Sequence, residues 1–144
     1  MLQGLYVHIP FCPQICPYCA FASLRGEDHM HDRYIAALCR EIDNSVSLRP
    51  AEPLRTVFFG GGTPSQVAPE LLGRVLETID RTFAIAADAE ITVEANPGTV
   101  DLQKFAELRQ IGCNRLSLGV QSFDDGALKK LGRVHDSAEA ERAF

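Results

Sequence analysis

The sequence lacks three features that would each assign it to a large class of proteins. Its 144 residues contain no run approaching the ~18 apolar residues of a membrane span. Basic residues are outnumbered by acidic ones, 14 to 19, so no basic surface is available to neutralise nucleic-acid phosphates. The N-terminus also lacks the charged and apolar regions of a secretory signal. We therefore expect neither a membrane span nor a nucleic-acid partner.

Cysteine is scarce, and its few positions are unevenly distributed. The chain has five cysteines, and three of them, Cys12, Cys16 and Cys19, fall within the stretch "HIPFCPQICPYCAF", residues 8–21. An odd cysteine count without an export signal favours a reducing compartment, the cytoplasm, over disulfide bonding. Thiols crowded in this way are typical of metal ligands or redox groups.

The remaining composition is that of a protein with a normal core, 46% hydrophobic and 23% charged, so we treat residues 1–144 as one unit. Periodicity predicts strands in residues 4–9, 55–62, 89–97 and 114–123. It predicts helices in residues 32–46, 68–83 and 100–112, and a short one from residue 124. The helix of residues 100–112 is predicted to be capped by Asp101 and to end at Gly112. Alternation of this kind is typical of βαβ units in a parallel sheet.

Four such units make half of an eightfold (β/α) barrel, which takes ~250 residues, or else a small open sheet. Residues 135–144, "HDSAEAERAF", look like a capped helix cut off partway. We therefore expect the chain to be a piece of a larger protein, whose fourth strand would be an exposed edge and an aggregation risk.

Unusual residues follow each predicted strand. Cys12 comes after the first strand, the glycines of residues 60–62 after the second, Glu94 and Asn96 after the third, and Gln121 after the fourth. In parallel α/β folds ligands bind outside the carboxyl ends of the strands. The pattern therefore predicts a single site formed by four loops.

Two metal centres suit the C-x3-C-x2-C spacing of the three cysteines. A cubane iron–sulfur cluster has four irons, so three thiolates leave one iron open for another ligand. Zinc held by the three cysteines and His8 is the alternative, a closed tetrahedral site. A thioredoxin-like pair of Cys16 and Cys19 is disfavoured by the additional Cys12 and by the lack of a thioredoxin-like fold pattern.

The glycine run "FFGGGTPS", residues 58–65, would let backbone groups approach a ligand closely. A phosphate-binding P-loop requires a lysine after its glycines, and none is present here. We therefore disfavour nucleoside triphosphate binding.

The motifs "YVHIPFCPQICPYCAF", "GGGTPS", "EANPGT" and "GVQSFDDGALKKLGRVH" together resemble the radical S-adenosylmethionine (radical SAM) superfamily. Within it, they are similar to the oxygen-independent coproporphyrinogen III oxidases and their heme-chaperone (HemW-type) relatives. The resemblance runs from Tyr6 to about His135. It implies an α/β fold, the N-terminal part of a partial (β/α)6 TIM-like barrel with about four βα units present.

The resemblance also implies ligands and chemistry. Cys12, Cys16 and Cys19 would hold a [4Fe-4S] cluster whose open iron binds S-adenosylmethionine. The cluster would then generate a 5′-deoxyadenosyl radical, since the cofactor carries the chemistry. No residue of the chain is assigned a catalytic role, and Asn96 is interpreted as a turn residue. The positions that match cofactor contacts in the family are Tyr6, Tyr18, Gly61, Gly62, Thr63, Glu94, Gln121 and Arg133.

The position after the cluster motif separates the two subgroups. The oxidases tend to carry a further cysteine where this chain has Phe21, and the chaperones often have aspartate where it has Ala20. Phe21 argues against oxidase activity, so whether the protein is an enzyme stays open. We expect a cytoplasmic heme chaperone that binds and transfers heme, with a flavodoxin-type electron donor and a heme-acceptor protein as partners. The alternatives are an oxygen-independent coproporphyrinogen III oxidase and a zinc-stabilised α/β binding module.

The heme motif of the subgroup, a histidine with a Tyr-Trp pair, lies further downstream in its members, and this chain has no tryptophan. We therefore expect the heme site to lie outside residues 1–144. The remaining cysteines, Cys39 and Cys113, are predicted to be packed thiols. Among the histidines, we expect His8 to bond the backbone and His29 and His31 to be solvated, while His135 has no assigned role.

Overall fold

The structure, a computed structural model, describes residues 4–143. Residues 1–3 and 144, the ends of the predicted unit 1–144, lie outside the described residues. The strands are β1 (Gly4–Ile9), β2 (Phe11–Cys12), β3 (Leu24–Arg25), β4 (Leu54–Gly61), β5 (Ile85–Ala95) and β6 (Arg115–Leu118). The α-helices are α1 (His31–Asn44), α2 (Pro69–Phe83), α3 (Leu102–Gln110), α4 (Asp125–Lys130) and α5 (Ser137–Ala143). No described helix is long and apolar enough to cross a membrane.

Four strands form one parallel sheet in the order β1-β4-β5-β6, and β2 and β3 form a separate parallel pair. Ile9 pairs with Gly61, and Ala95 pairs with Leu118, so the strands reach their carboxyl ends at one edge of the sheet. The predicted α/β fold with parallel strands is confirmed. Its loops at this edge build the site described below.

Alternation along the strands gives the sheet two different faces. Val7, Val57 and Val93 are buried against the helices, whereas Tyr6 and His8 lie on the opposite, open face. Helix α2 covers the first face because Pro69 and Glu70 suit its first turn and its apolar residues recur every three or four positions. The buried side chains of α2 include Leu72, Val75, Leu76, Ile79 and Phe83.

The helix starts follow local chemistry. Asp101 caps α3, since its carboxylate accepts the backbone N–H of Lys104 at 2.7 Å. Gly112 ends the same segment with φ +105°, which favours glycine. Both roles agree with the sequence-based prediction.

The predicted limits of two strands were wrong, and one strand pair was not predicted. Strand β5 begins at Ile85 instead of residue 89, and β6 ends at Leu118 instead of residue 123. The chain turns after Leu118, where Gln121 has φ +70°. The short β2–β3 pair was not predicted, since two-residue strands carry no periodicity.

His31 is also placed differently from its prediction as a solvated residue. It is 9% exposed at the start of α1, and its ring centroid lies 4.3 Å from that of Phe11. Burial lowers the pKa of His31, and the nearby Asp28 carboxylate opposes that shift. His31 therefore supports the strand that ends at Cys12.

Candidate functional site

The glycine run at the end of β4 brings two chain segments into close contact. The N–H of Gly62 donates to Ile9 O at 2.8 Å, and the N–H of Thr63 donates to Phe11 O at 2.7 Å. A Cβ at Gly62 would lie only 2.5 Å from Phe11 O. Glycine is therefore required because the cysteine segment rests directly on this turn. We predicted that the glycines would let backbone groups approach a ligand. At Gly62 the absence of a side chain instead makes room for the backbone of Pro10 and Phe11.

The three clustered cysteines lie on a loop anchored at both ends. Leu24 N–H donates to Pro10 O at 2.8 Å and Gly26 N–H donates to Cys12 O at 3.2 Å, so the pairing of β2 with β3 closes the loop. Within it, the N–H of Cys19 donates to Cys16 O at 2.9 Å. Cys12, Cys16 and Cys19 are half-buried free thiols. They are held near one another without being sealed from a ligand.

This loop and the carboxyl ends of the strands enclose a pocket of about 320 Å³. The pocket brings together the three cysteines and all but one of the cofactor-contacting residues predicted from the sequence. Asn96 and Gly119 also line it, although neither was predicted to do so. The predicted residues on its wall are Cys12, Cys16, Cys19, Tyr18, Gly61, Gly62, Thr63, Glu94, Gln121 and Arg133.

Tyr6 is the predicted residue that does not line the pocket. It lies on the open face of the sheet, stacked on Phe58 with ring centroids 6.1 Å apart, and its hydroxyl is 3.1 Å from His8 Nδ1. Burial, followed by the Glu94 carboxylate, raises the pKa of Tyr6. A ligand that contacts both Tyr6 and the pocket would have to extend past Glu94.

The two charged residues of the pocket are fixed by backbone groups. Glu94 accepts the N–H of Gly61 at 3.1 Å. Arg133 donates through Nη2 to Gly119 O at 2.7 Å and to Asn96 Oδ1 at 2.5 Å. Arg133 is therefore a residue of the pocket wall. Its Nε is buried without a hydrogen-bond partner among the described residues.

Asn96 was interpreted from the sequence as a turn residue, and this interpretation missed its side chain. Its Nδ2 donates to Thr63 Oγ1 at 2.9 Å while its Oδ1 accepts from Arg133. The available signal was its spacing, because residues two apart on a strand point to the same side. Asn96 is two residues beyond Glu94, which was recognised.

Tyr18 and Cys16 lie on the opposite wall from Asn96. Arg133 Nη1 is 3.4 Å from the Tyr18 hydroxyl and 3.5 Å from Cys16 Sγ. Burial raises the pKa of Tyr18, and the Arg133 guanidinium opposes that shift. The guanidinium therefore spans the pocket from the β5 side to the cysteine loop.

His135, which had no predicted role, supports the loop after β6. It is 3% exposed, and its Nε2 lies 3.1 Å from Val120 O. Gln121, the next residue, has the left-handed φ of +70°. Such a conformation persists where neighbouring contacts hold it. His135 and Arg133 supply those contacts through the carbonyls of Val120 and Gly119.

The donor set fits a cubane better than a single zinc ion. In a cubane each cysteine binds its own iron, so three thiols around one pocket are suitable ligands. His8 has both ring nitrogens engaged, with Ala22 O at 2.8 Å and the Tyr6 hydroxyl at 3.1 Å. It is therefore not available as the fourth zinc ligand.

The protein is of the α/β class, with a parallel sheet and a cysteine-lined pocket at the carboxyl ends of its strands. The model of the radical SAM superfamily matches residues 6–144, and the chain belongs to that superfamily. Its relatives confirm the narrower prediction of the HemW-type subgroup. The chain is 47% identical over 142 residues to "Heme chaperone HemW" of Escherichia coli and 38% identical over 144 residues to that of Bacillus subtilis.

The matches cover nearly all of this chain but little more than a third of each relative. The shares are 97% of the chain and 37% of the Escherichia coli protein, and 99% and 38% for Bacillus subtilis. A bovine protein, "Radical S-adenosyl methionine domain-containing protein 1, mitochondrial", is 40% identical over 150 residues, covering 98% of this chain and 34% of its own length.

Solved structures agree on the fold. The Escherichia coli coproporphyrinogen III oxidase HemN, described as a radical SAM enzyme, superposes with a TM-score of 0.86 at 33% identity. The match covers 95% of this chain and 32% of that one. Elp3 of Methanocaldococcus infernus superposes with a TM-score of 0.59 at 18% identity over 98% of this chain and 34% of its own, a likeness of fold alone. The prediction of a partial TIM-like barrel is confirmed.

Proposed function

We propose that the pocket binds a [4Fe-4S] cluster and S-adenosylmethionine, and that the protein is a heme chaperone. The observation that carries the proposal is the convergence of three thiols, one carboxylate and one guanidinium on a single pocket of about 320 Å³. Cys12, Cys16 and Cys19 would hold the cluster. The heme function is supported by the names of the relatives, which are 47% and 38% identical.

The charged residues suit a zwitterionic ligand. The methionine end of S-adenosylmethionine has an ammonium group, which would donate hydrogen bonds to Glu94, and a carboxylate, which the Arg133 guanidinium would bind. Thr63 and Gln121 supply further polar contacts on the same wall, and the Tyr18 ring would cover the loop side. When bound and reduced, such a cluster would supply one electron for radical chemistry on S-adenosylmethionine. We propose that Tyr6 contacts the part of the ligand that extends past Glu94.

Partners follow from the same proposal. Heme or a related porphyrin would be the cargo, a flavodoxin-type protein would supply electrons, and a heme-acceptor protein would receive the cargo. Five free thiols suit a reducing compartment such as the cytoplasm.

Coproporphyrinogen III oxidation is the second candidate, favoured by the TM-score of 0.86 to the oxidase structure. Phe21 argues against it, because the oxidases tend to carry an additional cysteine at this position. The Phe21 side chain is 73% exposed beside the pocket, where it supplies an apolar surface in place of a thiol. No observation favours the zinc-stabilised module, whose fourth ligand His8 is already engaged.

The first experiment is electron paramagnetic resonance on anaerobically reconstituted, reduced protein, before and after adding S-adenosylmethionine. We expect a cubane signal that changes on addition. Cys16→Ala should abolish it, whereas Cys39→Ser, a matched control on α1, should retain it. One zinc per chain and no iron signal would overturn the proposal.

A second assay separates chaperone from oxidase. Heme titrated into reconstituted protein that carries the downstream heme motif of the subgroup should produce a bound-heme absorbance band that decays when an apo-hemoprotein is added, whereas residues 1–144 alone should give no such band. Coproporphyrinogen III with S-adenosylmethionine and a reductant should remain unconverted. Conversion to protoporphyrinogen would instead establish the oxidase.

A further inference from the structure

We propose that Asn96 is a positioning residue that holds the Arg133 guanidinium against the Cys16 sulfur and thereby raises the reduction potential of the cluster. The proposal rests on the proposed function of the same pocket. Asn96 is not among the cofactor contacts predicted from the sequence.

A continuous chain of polar contacts joins two of the cysteines across the pocket. Cys12 Sγ lies 3.2 Å from Thr63 Oγ1, which accepts from Asn96 Nδ2 at 2.9 Å. Asn96 Oδ1 accepts from Arg133 Nη2 at 2.5 Å, and Arg133 Nη1 lies 3.5 Å from Cys16 Sγ. Asn96 is the central member of this chain. Its side-chain amide donates through Nδ2 to Thr63 and accepts through Oδ1 from Arg133.

The backbone around Asn96 is fixed, so its amide can act as a rigid support. The N–H of Asn96 donates to Thr99 Oγ1 at 3.3 Å, and Thr99 N–H donates back to Asn96 O at 2.9 Å. The residue after Asn96 is Pro97, whose ring fixes its own φ. On the other side, a Cβ at Gly119 would come within 2.8 Å of Asn96 Oδ1. The space for this amide is therefore created by a glycine opposite it.

The guanidinium is held in one orientation by two acceptors on its Nη2, Asn96 Oδ1 and Gly119 O. This arrangement directs Nη1 toward Cys16 Sγ. Hydrogen bonds and charge at ligand sulfurs set the potential of an iron–sulfur cluster. Reduction adds one electron, and hence one negative charge, to the cluster. A cation fixed at a ligand sulfur stabilises the reduced form and raises the potential.

The test is a redox titration of the reconstituted protein, with dithionite as the one-electron reductant and the cubane signal as the readout. Asn96→Ala and Arg133→Met should each shift the midpoint to lower potential. The Asn96→Ala, Arg133→Met double variant should match Arg133→Met alone, because Asn96 acts through Arg133. The dissociation constant of S-adenosylmethionine, from calorimetry, should rise about tenfold in Asn96→Ala.

Two further variants keep the test interpretable. Asn96→Asp retains an acceptor for Arg133 and nearly the same shape, so it should assemble the cluster even if Asn96→Ala does not. Its added negative charge should also lower the midpoint. Asn114→Ala is the control, because Asn114 bonds the backbone at Ile91 and Ala89, away from the pocket, and should leave the midpoint unchanged.

The outcomes separate this inference from the proposed function. Wild-type midpoints in Asn96→Ala and Asn96→Asp, or additive shifts in the double variant, would overturn the role of Asn96 while leaving the cluster in place. A wild-type protein that assembles no cubane would overturn the proposed function and this inference together.

Discussion

At the scale of single residues, the five cysteines divide by environment. Cys12, Cys16 and Cys19 are half-buried around the pocket, whereas Cys113 is 4% exposed after α3. Burial raises the pKa of Cys113 to about 11. The prediction of a packed thiol is confirmed for Cys113. Cys39 is only half-buried, with its sulfur 3.9 Å from Arg74 O.

The shifted pKa of Cys113 predicts a pH-dependent stability. In the unfolded chain the thiol ionises near its ordinary pKa of 9.0, while in the folded protein it stays protonated to about 11. The unfolded state therefore binds fewer protons between these values, and the free energy of unfolding should fall by about 2–3 kcal/mol as pH rises through this window. Below it, this group adds no pH dependence. Urea unfolding at about pH 8 and about pH 10.5 measures the fall.

Cys113→Ala is the comparison that assigns the effect. The variant should lose some stability at the lower pH, because the buried sulfur is replaced by a smaller group, but it should lack the extra fall at higher pH. Equal falls in the variant and the wild-type protein would show that Cys113 is not responsible.

At the scale of elements, the site depends on how the end of β4 meets the cysteine segment. The backbone carbonyl oxygens of Pro10 and Phe11 pack against the glycine turn. A Cβ at Gly62 would lie within 2.6 Å of both oxygens. Backbone cannot move away as a flexible side chain can. The turn, β2 and the cysteine loop therefore form one packed unit.

Gly62→Ala tests this contact. We expect destabilisation by about 3 kcal/mol or more, because the new methyl group would displace the segment leading to Cys12, and we expect loss of cluster assembly. Gly98→Ala is the matched control, since a Cβ there would be 3.7 Å from Val134 and 3.8 Å from His135, ordinary contact distances. It should change stability by less than about 1 kcal/mol. Urea unfolding and iron content measure both effects. Near-wild-type stability of Gly62→Ala would contradict the contact.

At the scale of the whole molecule, the sheet has two edges. Strands β1 and β6 are its outer members, and no described strand pairs with the far side of either. Next to β6, a groove of about 200 Å³ is lined partly by Leu108 and Leu116, and Leu116 is 37% exposed. An unpaired edge beside apolar side chains is a template for association.

The 144-residue chain should therefore self-associate in sedimentation velocity at high concentration, and Leu116→Lys should reduce that association. Leu102→Lys is the control, because Leu102 is 86% exposed at the start of α3 and does not line that groove. Equal association of both variants and the wild-type chain would contradict a role for this edge.

Much of this architecture was predictable because its causes are local. Alternation and 3.6-residue periodicity predicted four parallel strands and their helices, and Asp101 and Gly112 marked one helix at both ends. The spacing of three cysteines pointed to the pocket whose wall they line. The errors concern the limits of β5 and β6 and the β2–β3 pair. At these places hydrogen bonds to neighbouring strands decide where a strand begins and ends, and the periodicity of the sequence is weak.

The amino-acid sequence by itself determined the order of the strands and helices, the cysteine motif and the superfamily, because each depends on residues near one another in the chain. Tertiary structure alone decided the contacts of Asn96 and Arg133 and the burial of His31. Arg133 is separated from Cys16 by 117 positions and from Asn96 by 37, and they meet only because parallel strands bring their carboxyl ends to one edge. Local patterns carry no information about such distances, so the polar chain across the pocket appears only in the folded protein.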